Sequence, residues 1–255
     1  MINFEQLQVL FLVFARLTAF SVAAPFFSIR NVPPLVKVGF GVVLTLLVYP
    51  LMGTGGVALP STLLGYGLEA VGEVLVGLAL GFIATLTFTA IKVAGELGDL
   101  QMGFAMTGLM DPLTGSRTSL MGEYLYMLGI LLFLIINGHH TLILALVGSF
   151  ELVPVGVASV NGGATAHVIG VFTGMFALGL RIAAPILAVL LISDLALGMV
   201  ARTVPQLNVF ILGFPLKVAL GMLTLSLAAP LMAAVVGTVF TQMERDLAIL
   251  MGSLR

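Results

Sequence analysis

The chain has 255 residues, of which 60% are hydrophobic and 8% charged, with a net charge of -1 and no cysteine. A soluble domain carries roughly 45–50% apolar and about 25% charged residues, so this composition points to an all-α polytopic membrane protein. The charge balance offers no basic surface to nucleic acid, and the lack of cysteine excludes a disulfide frame and a thiolate metal site.

A membrane-crossing helix needs about 20 apolar residues, and six runs of that order can be read along the chain. The first, Leu7 to Phe27, has Glu5 and no Lys or Arg ahead of it. That argues against a cleaved signal peptide and for a helix that is kept. Arg30 and Pro33-Pro34 end it, and the second run, Leu35 to Met52, is ended by Gly53-Thr54-Gly55-Gly56. The third runs from about Leu63 to Ile91, and Gly77 with Gly81 give it a face for close helix contact in lipid.

The next segment, Ala94 to Gly122, fits neither lipid nor an ordinary loop. It holds Glu96, Asp99 and Gln101 among six glycines and the methionines 102, 106, 110 and 121. Such a mixture is tolerated at membrane depth only where protein or a water-filled cavity surrounds it. Met102, Met106 and Met110 recur at steps of four, which on a helix makes one soft apolar stripe able to close around objects of varying shape.

The fourth run is Glu123 to about Val153, interrupted by Asn137-Gly138-His139-His140, which reads as a polar notch at a helix bend. Adjacent histidines project to different sides of a helix, and no carboxylate stands at ligand spacing beside them. A Gly-, Ser- and Asn-rich loop from Pro154 to Ala166 is the main internal boundary. It separates an N-terminal part, residues 1–153, from a C-terminal hairpin, residues 167–255. The hairpin arms are Val168 to Val200, where Gly170 and Gly174 repeat the small-residue spacing, and Gln206 to Gln242. Their turn is Ala201-Arg202-Thr203-Val204-Pro205. Ala-Ala-Pro at 23–25, 183–185 and 228–230 marks kink sites, because proline removes one helical bond.

Lys and Arg mark the cytoplasmic loops. Arg30 and Lys37, Lys92 and Arg117, and Arg202 fall around alternate turns, which places the N-terminus outside. A charge at bilayer depth costs about 2.5–3.5 kcal/mol, so the interior charges must face protein, water or the interface. Glu69 and Glu73 share one helix face, and Lys92, Glu96 and Asp99 another. Pairing among themselves or with a neighbouring subunit, and an ion or proton relay, both fit that pattern. Arg16 and Arg181 are expected to snorkel or to pair across a subunit boundary, while Asp194 stands alone. Lys217 follows Gly213-Phe214-Pro215-Leu216, a combination expected to open the helix and free carbonyls beside a charge. No phosphate loop, nucleophile elbow or HExxH metal motif occurs, so neither catalytic residues nor a cofactor or metal site is expected.

Three stretches in order carry a family resemblance: AGELGDLQMGFAMTGLMDP from Ala94 to Pro112, Asn137-Gly138-His139, and LALGMVARTVPQLNVFILGFPLK from Leu195 to Lys217. Together they make the chain resemble the FliR family of flagellar export proteins. That resemblance implies a subunit of the type III export gate in the bacterial inner membrane at the flagellar basal body. The partners it implies are FliP, FliQ and FlhB, with unfolded flagellar subunits as cargo, in a helical cone of kinked hairpins. It further implies a FliP-like N-terminal part, a FliQ-like C-terminal hairpin, and a plug loop corresponding to about Phe104 to Gly122. Met102, Phe104, Met106, Met110, Asp111, Pro112 and Met121 are then the expected pore and plug residues. Lys92, Glu96, Asp99, Gln101, Arg202 and Lys217 form an expected inter-subunit or polar face, and Gly213, Phe214 and Pro215 a helix break. Asp99 departs from the family, whose members usually carry an uncharged residue there. The LQMGF string, Leu100 to Phe104, favours the flagellar over the virulence branch. An ion-coupled transporter using Glu69, Glu73, Glu96 and Asp99, and a membrane enzyme using His139, His140 and His167, are the other classes compatible with the residues.

Overall fold

The structure, a computed structural model, describes residues 4–25, 27, 33–52, 60, 62–104, 119–157, 162–206 and 208–254. Within these residues the chain is helical and has no strand. The helices are α1 (Phe4–Ala23), α2 (Pro34–Val48), α3 (Leu63–Met102), α4 (Leu120–Ile135), α5 (Gly138–Leu152), α6 (Gly162–Thr203) and α7 (Val209–Ser253). A short 3-10 turn, Tyr49–Met52, extends α2. Five helices are long and apolar enough to cross a membrane, and α4 with α5 would make a sixth as one broken span. The protein is an all-α membrane protein.

Local chemistry accounts for most of the boundaries. Glu5 sits in the first turn of α1, where a negative charge complements the helix dipole. Pro25 disfavours helical geometry at Ala24, and α1 stops at Ala23. Proline occupies the first position of α2, where a missing N–H costs nothing. Asn137 adopts a left-handed φ of 57°, and this divides the fourth apolar run into α4 and α5 at the notch.

Three boundaries differ from the expected ones. Residues 94–102 are not a separate segment but the last turns of α3, which is 40 residues long. Hydropathy falls there, yet Asp99 is bonded at the start of α4 and Gln101 on α6, and the helix continues through the single glycines at 95 and 98. Helix α6 starts at Gly162, so the expected loop to Ala166 is shorter, and α7 runs on past Gln242 to Ser253. The Gly213-Phe214-Pro215 stretch is not a break either. Helix α7 is continuous through it, with Pro215 and Pro230 inside. Pro215 lies in the second turn of α7 and removes the bond to the Ile211 carbonyl, yet the helix continues past it.

The chain forms two compact units, one of residues 1–87, 136–173 and 240–255, the other of residues 88–135 and 174–239. In the first unit α1 buries Leu12, Val13, Arg16, Leu17 and Phe20, a stripe at helical spacing. It packs on α3 at Gly77 and Gly81, where an added Cβ would lie 2.3 Å from the Arg16 carbonyl oxygen and 2.5 Å from Ala23 Cβ. That is the small-residue contact foreseen for this pair. Gly170 and Gly174 do not repeat it, since nothing among the described residues stands within 4 Å of a Cβ built at either.

The second unit is built from the end of α3, from α4, and from the greater part of α6 and α7. Phe88 meets Phe133 edge-on at 5.2 Å between ring centroids, and Ile91, Leu125, Ile182 and Ile186 are buried in the same unit. The outer faces of α6 and α7 are apolar and open, with Ile192, Leu195, Met199, Ile211 and Leu227 each at least 66% exposed. Exposed apolar area on this scale marks a surface made for lipid or other chains.

Candidate gating site

The residues singled out in the sequence converge, in the second unit, on the two ends of the stretch between α3 and α4. Helix α3 closes at Gly103, whose φ of 94° suits glycine and whose N–H bonds the Asp99 carbonyl at 3.0 Å. Just before it, Met102 is fully buried against α7. A Cβ at Gly221 would lie 2.3 Å from Met102 Cε, so glycine there makes room for the thioether. Just after it, Phe104 packs edge-on against Phe214 with centroids 5.9 Å apart.

Polar side chains fasten the same region. Gln101 Nε2 donates to Asp194 Oδ2 at 2.7 Å, and Lys217 Nζ forms an ion pair with Asp194 Oδ1. One carboxylate on α6 therefore ties α3 to α7. At the other end, Ser119 Oγ donates to Asp99 Oδ2 at 2.5 Å, and the Met121 N–H donates to the same carboxylate at 3.1 Å. Gly122 N–H donates to Ser119 Oγ at 2.8 Å, which makes Ser119 the N-cap of α4. Lys92 Nζ pairs with Glu123 Oε1 at 2.5 Å, and Glu96 Cγ borders the start of α4 at Gly122.

The expected residues are thus distributed as follows. Met102, Phe104, Gln101, Phe214 and Lys217 gather where α3 ends, while Asp99 and Met121 meet at the start of α4. Gly213 packs on α6, its ideal Cβ 3.2 Å from Leu197 Cδ1. Arg202 is exposed in the last turn of α6, where a positive charge suits the helix dipole. Met106, Met110, Asp111 and Pro112 lie outside the described residues. Sequence reasoning missed Asp194 and Glu123 as partners, because each answers a residue many positions away.

The first unit holds a separate cluster. Arg16 does not snorkel. Its guanidinium is wholly buried, with Nε 2.5 Å from Glu73 Oε2 and Nη1 bonded to Ser149 Oγ and to the carbonyls of Ser149 and Val153. The Phe150 ring lies 4.3 Å from the guanidinium carbon, and Glu73 Oε1 accepts the Gly156 N–H at 3.0 Å. His139 and His140 are in contact, with ring centroids 4.6 Å apart. His167 Nε2 lies 3.0 Å from the Asp246 carbonyl oxygen. Among the described residues no group of three or more His, Asp and Glu could hold a metal ion.

Arginine held by a carboxylate and carbonyls binds helix to helix, and carboxylates placed on helix starts fix where a chain re-enters a bundle. Neither arrangement presents a nucleophile with its base. Residues 7–243 match the model of a family described as bacterial export proteins, family 1.

The chain belongs to this family.

Within the family it is similar to proteins named flagellar biosynthetic protein FliR. The one from Bacillus subtilis is 38% identical over 249 residues, covering 94% of this chain and 95% of the relative. The Escherichia coli protein is 34% identical, covering 94% of this chain and 91% of its own length. The one from Pectobacterium carotovorum is 38% identical over 86% of this chain and 83% of the relative. These family relatives align along almost the whole chain.

Proposed function

We propose that the protein is a structural and gating subunit of the flagellar type III protein export gate. It helps form and seal the channel that passes unfolded flagellar subunits across the bacterial inner membrane. The observation that carries this reading is the full-length similarity to flagellar biosynthetic proteins, joined to a helical membrane architecture. The exposed apolar faces of α6 and α7 suit a chain that completes its packing against other subunits and lipid.

In this reading FliP, FliQ and FlhB are the neighbours, and the flagellar basal body is the site. The chain performs no chemistry, so energy for transport comes from partners or from the proton gradient. Residues 1–153 act as the FliP-like part and 167–255 as the FliQ-like hairpin. The stretch from Phe104 to Gly122 is the plug, with Met106 and Met110 in the closing surface and the bonded ends at Gln101 and Ser119 as its roots. A cation-coupled transporter fits less well, since Glu73 is engaged by Arg16 and Asp99 by a hydroxyl and an amide.

Purifying the chain from native membranes under mild detergent tests the reading. Co-purification of the other export-gate subunits is the expected result. A chain that emerges alone and drives cation-dependent uptake in vesicles would overturn it.

A further inference from the structure

Both ends of the stretch between α3 and α4 bond to one residue. The backbone oxygen of Asp99 accepts the Gly103 N–H at 3.0 Å, where the stretch leaves α3. The carboxylate of Asp99 accepts Ser119 Oγ at 2.5 Å and the Met121 N–H at 3.1 Å, where the stretch enters α4. The side chain is only 5% exposed, and a carboxylate withdrawn from water needs charge-assisted donors of this kind. It also stands at the positive end of the α4 dipole, against the first-turn amides that have no partner within the helix.

A second observation, one turn earlier on the same face of α3, points to the same joint. A Cβ at Gly95 would lie 2.4 Å from the Met121 carbonyl oxygen and 2.5 Å from the Gly122 nitrogen. The start of α4 therefore rests directly on the α3 backbone at Gly95, and Asp99 locks it there from four residues on.

We propose that Asp99 is the positioning residue that fixes the start of α4, at Ser119 and Met121, to the last turn of α3. The end of α3 at Gly103 and the start of α4 at Ser119 then keep a fixed separation. The link at Asp194 differs: Lys217 and Asp194 are 23% and 36% exposed, so that pair is less enclosed than Asp99. The functional consequence rests on the plug reading above; the anchoring itself does not.

The test uses the assembled complex in membranes, carrying Asp99→Ala or Asp99→Asn, with two readouts. Hydrogen exchange should rise about tenfold or more in peptides covering the first turn of α4 for Asp99→Ala, as expected for loss of a bond to a charged group. It should rise less for Asp99→Asn, which keeps one acceptor, and stay as in wild type over residues 125–133. Wild-type exchange at residues 119–123 would overturn the anchor, as would a rise spread evenly through α3 and α4. Ion leak through the same membranes separates the two claims. Faster exchange with leak supports both, and faster exchange without leak keeps the anchor and removes the plug. Should Asp99→Ala fail to assemble, Asp99→Asn decides by the same criteria.

Discussion

Arg16 of α1 and Glu73 of α3, 57 positions apart, meet at 2.5 Å with neither side chain exposed. Deleting one partner of such a pair strands the other charge, at a cost of about 3–5 kcal/mol. Arg16→Ala and Glu73→Ala should each destabilise the protein by that order in detergent unfolding. The double variant Arg16→Ala with Glu73→Ala should cost clearly less than the sum of the two single losses. A double-mutant cycle checks this, and strictly additive effects would contradict the pairing.

Gly77 is filled from the other side by the Arg16 carbonyl, 2.3 Å from where a Cβ would be. Gly77→Ala should force α1 away from α3 and lower the unfolding temperature. Gly148→Ala, with nothing within 4 Å, should be neutral or gain about 0.5–1 kcal/mol from helix propensity. Comparing the two melting curves is sufficient, and an equal effect would refute the close contact.

Much of this architecture is legible in the residues. The apolar runs and their punctuation locate α1, α2 and the apolar length of α3, and Gly77 with Gly81 announce the contact they make. The end of α3 was hidden because Glu96 and Asp99 lower hydropathy, while the groups that accommodate them arrive from α4. Pro215 misled for a different reason: it removes one backbone bond inside α7, and the bonds on either side keep the helix continuous. Arg16 looked like a lone charge because its four acceptors come from α3, α5 and the residue following α5.

Met102 should be among the least replaceable residues at the end of α3. It is fully buried, and Gly221 leaves room for its thioether. Met102→Ala should destabilise by about 2–5 kcal/mol through the cavity it leaves, measured by chemical or thermal unfolding. Met102→Leu should cost less than about 1.5 kcal/mol.

The Lys217–Asp194 pair, partly exposed, should contribute little on its own. Lys217→Met should shift the unfolding temperature by no more than about 4 °C, the scale of about 1 kcal/mol in a chain of this size. Asp194→Ala should cost more, because Gln101 loses its acceptor as well. Equal effects of the two substitutions would argue against Asp194 as a shared node.

The central claim is that the chain seals a protein-conducting channel with the stretch between α3 and α4. Ion conductance across membranes carrying the assembled complex tests it most directly, with the centre of the Phe104 to Gly122 segment deleted. The account predicts a resting leak of small ions that the intact chain does not allow. Conductance unchanged from wild type in a fully assembled complex would contradict it.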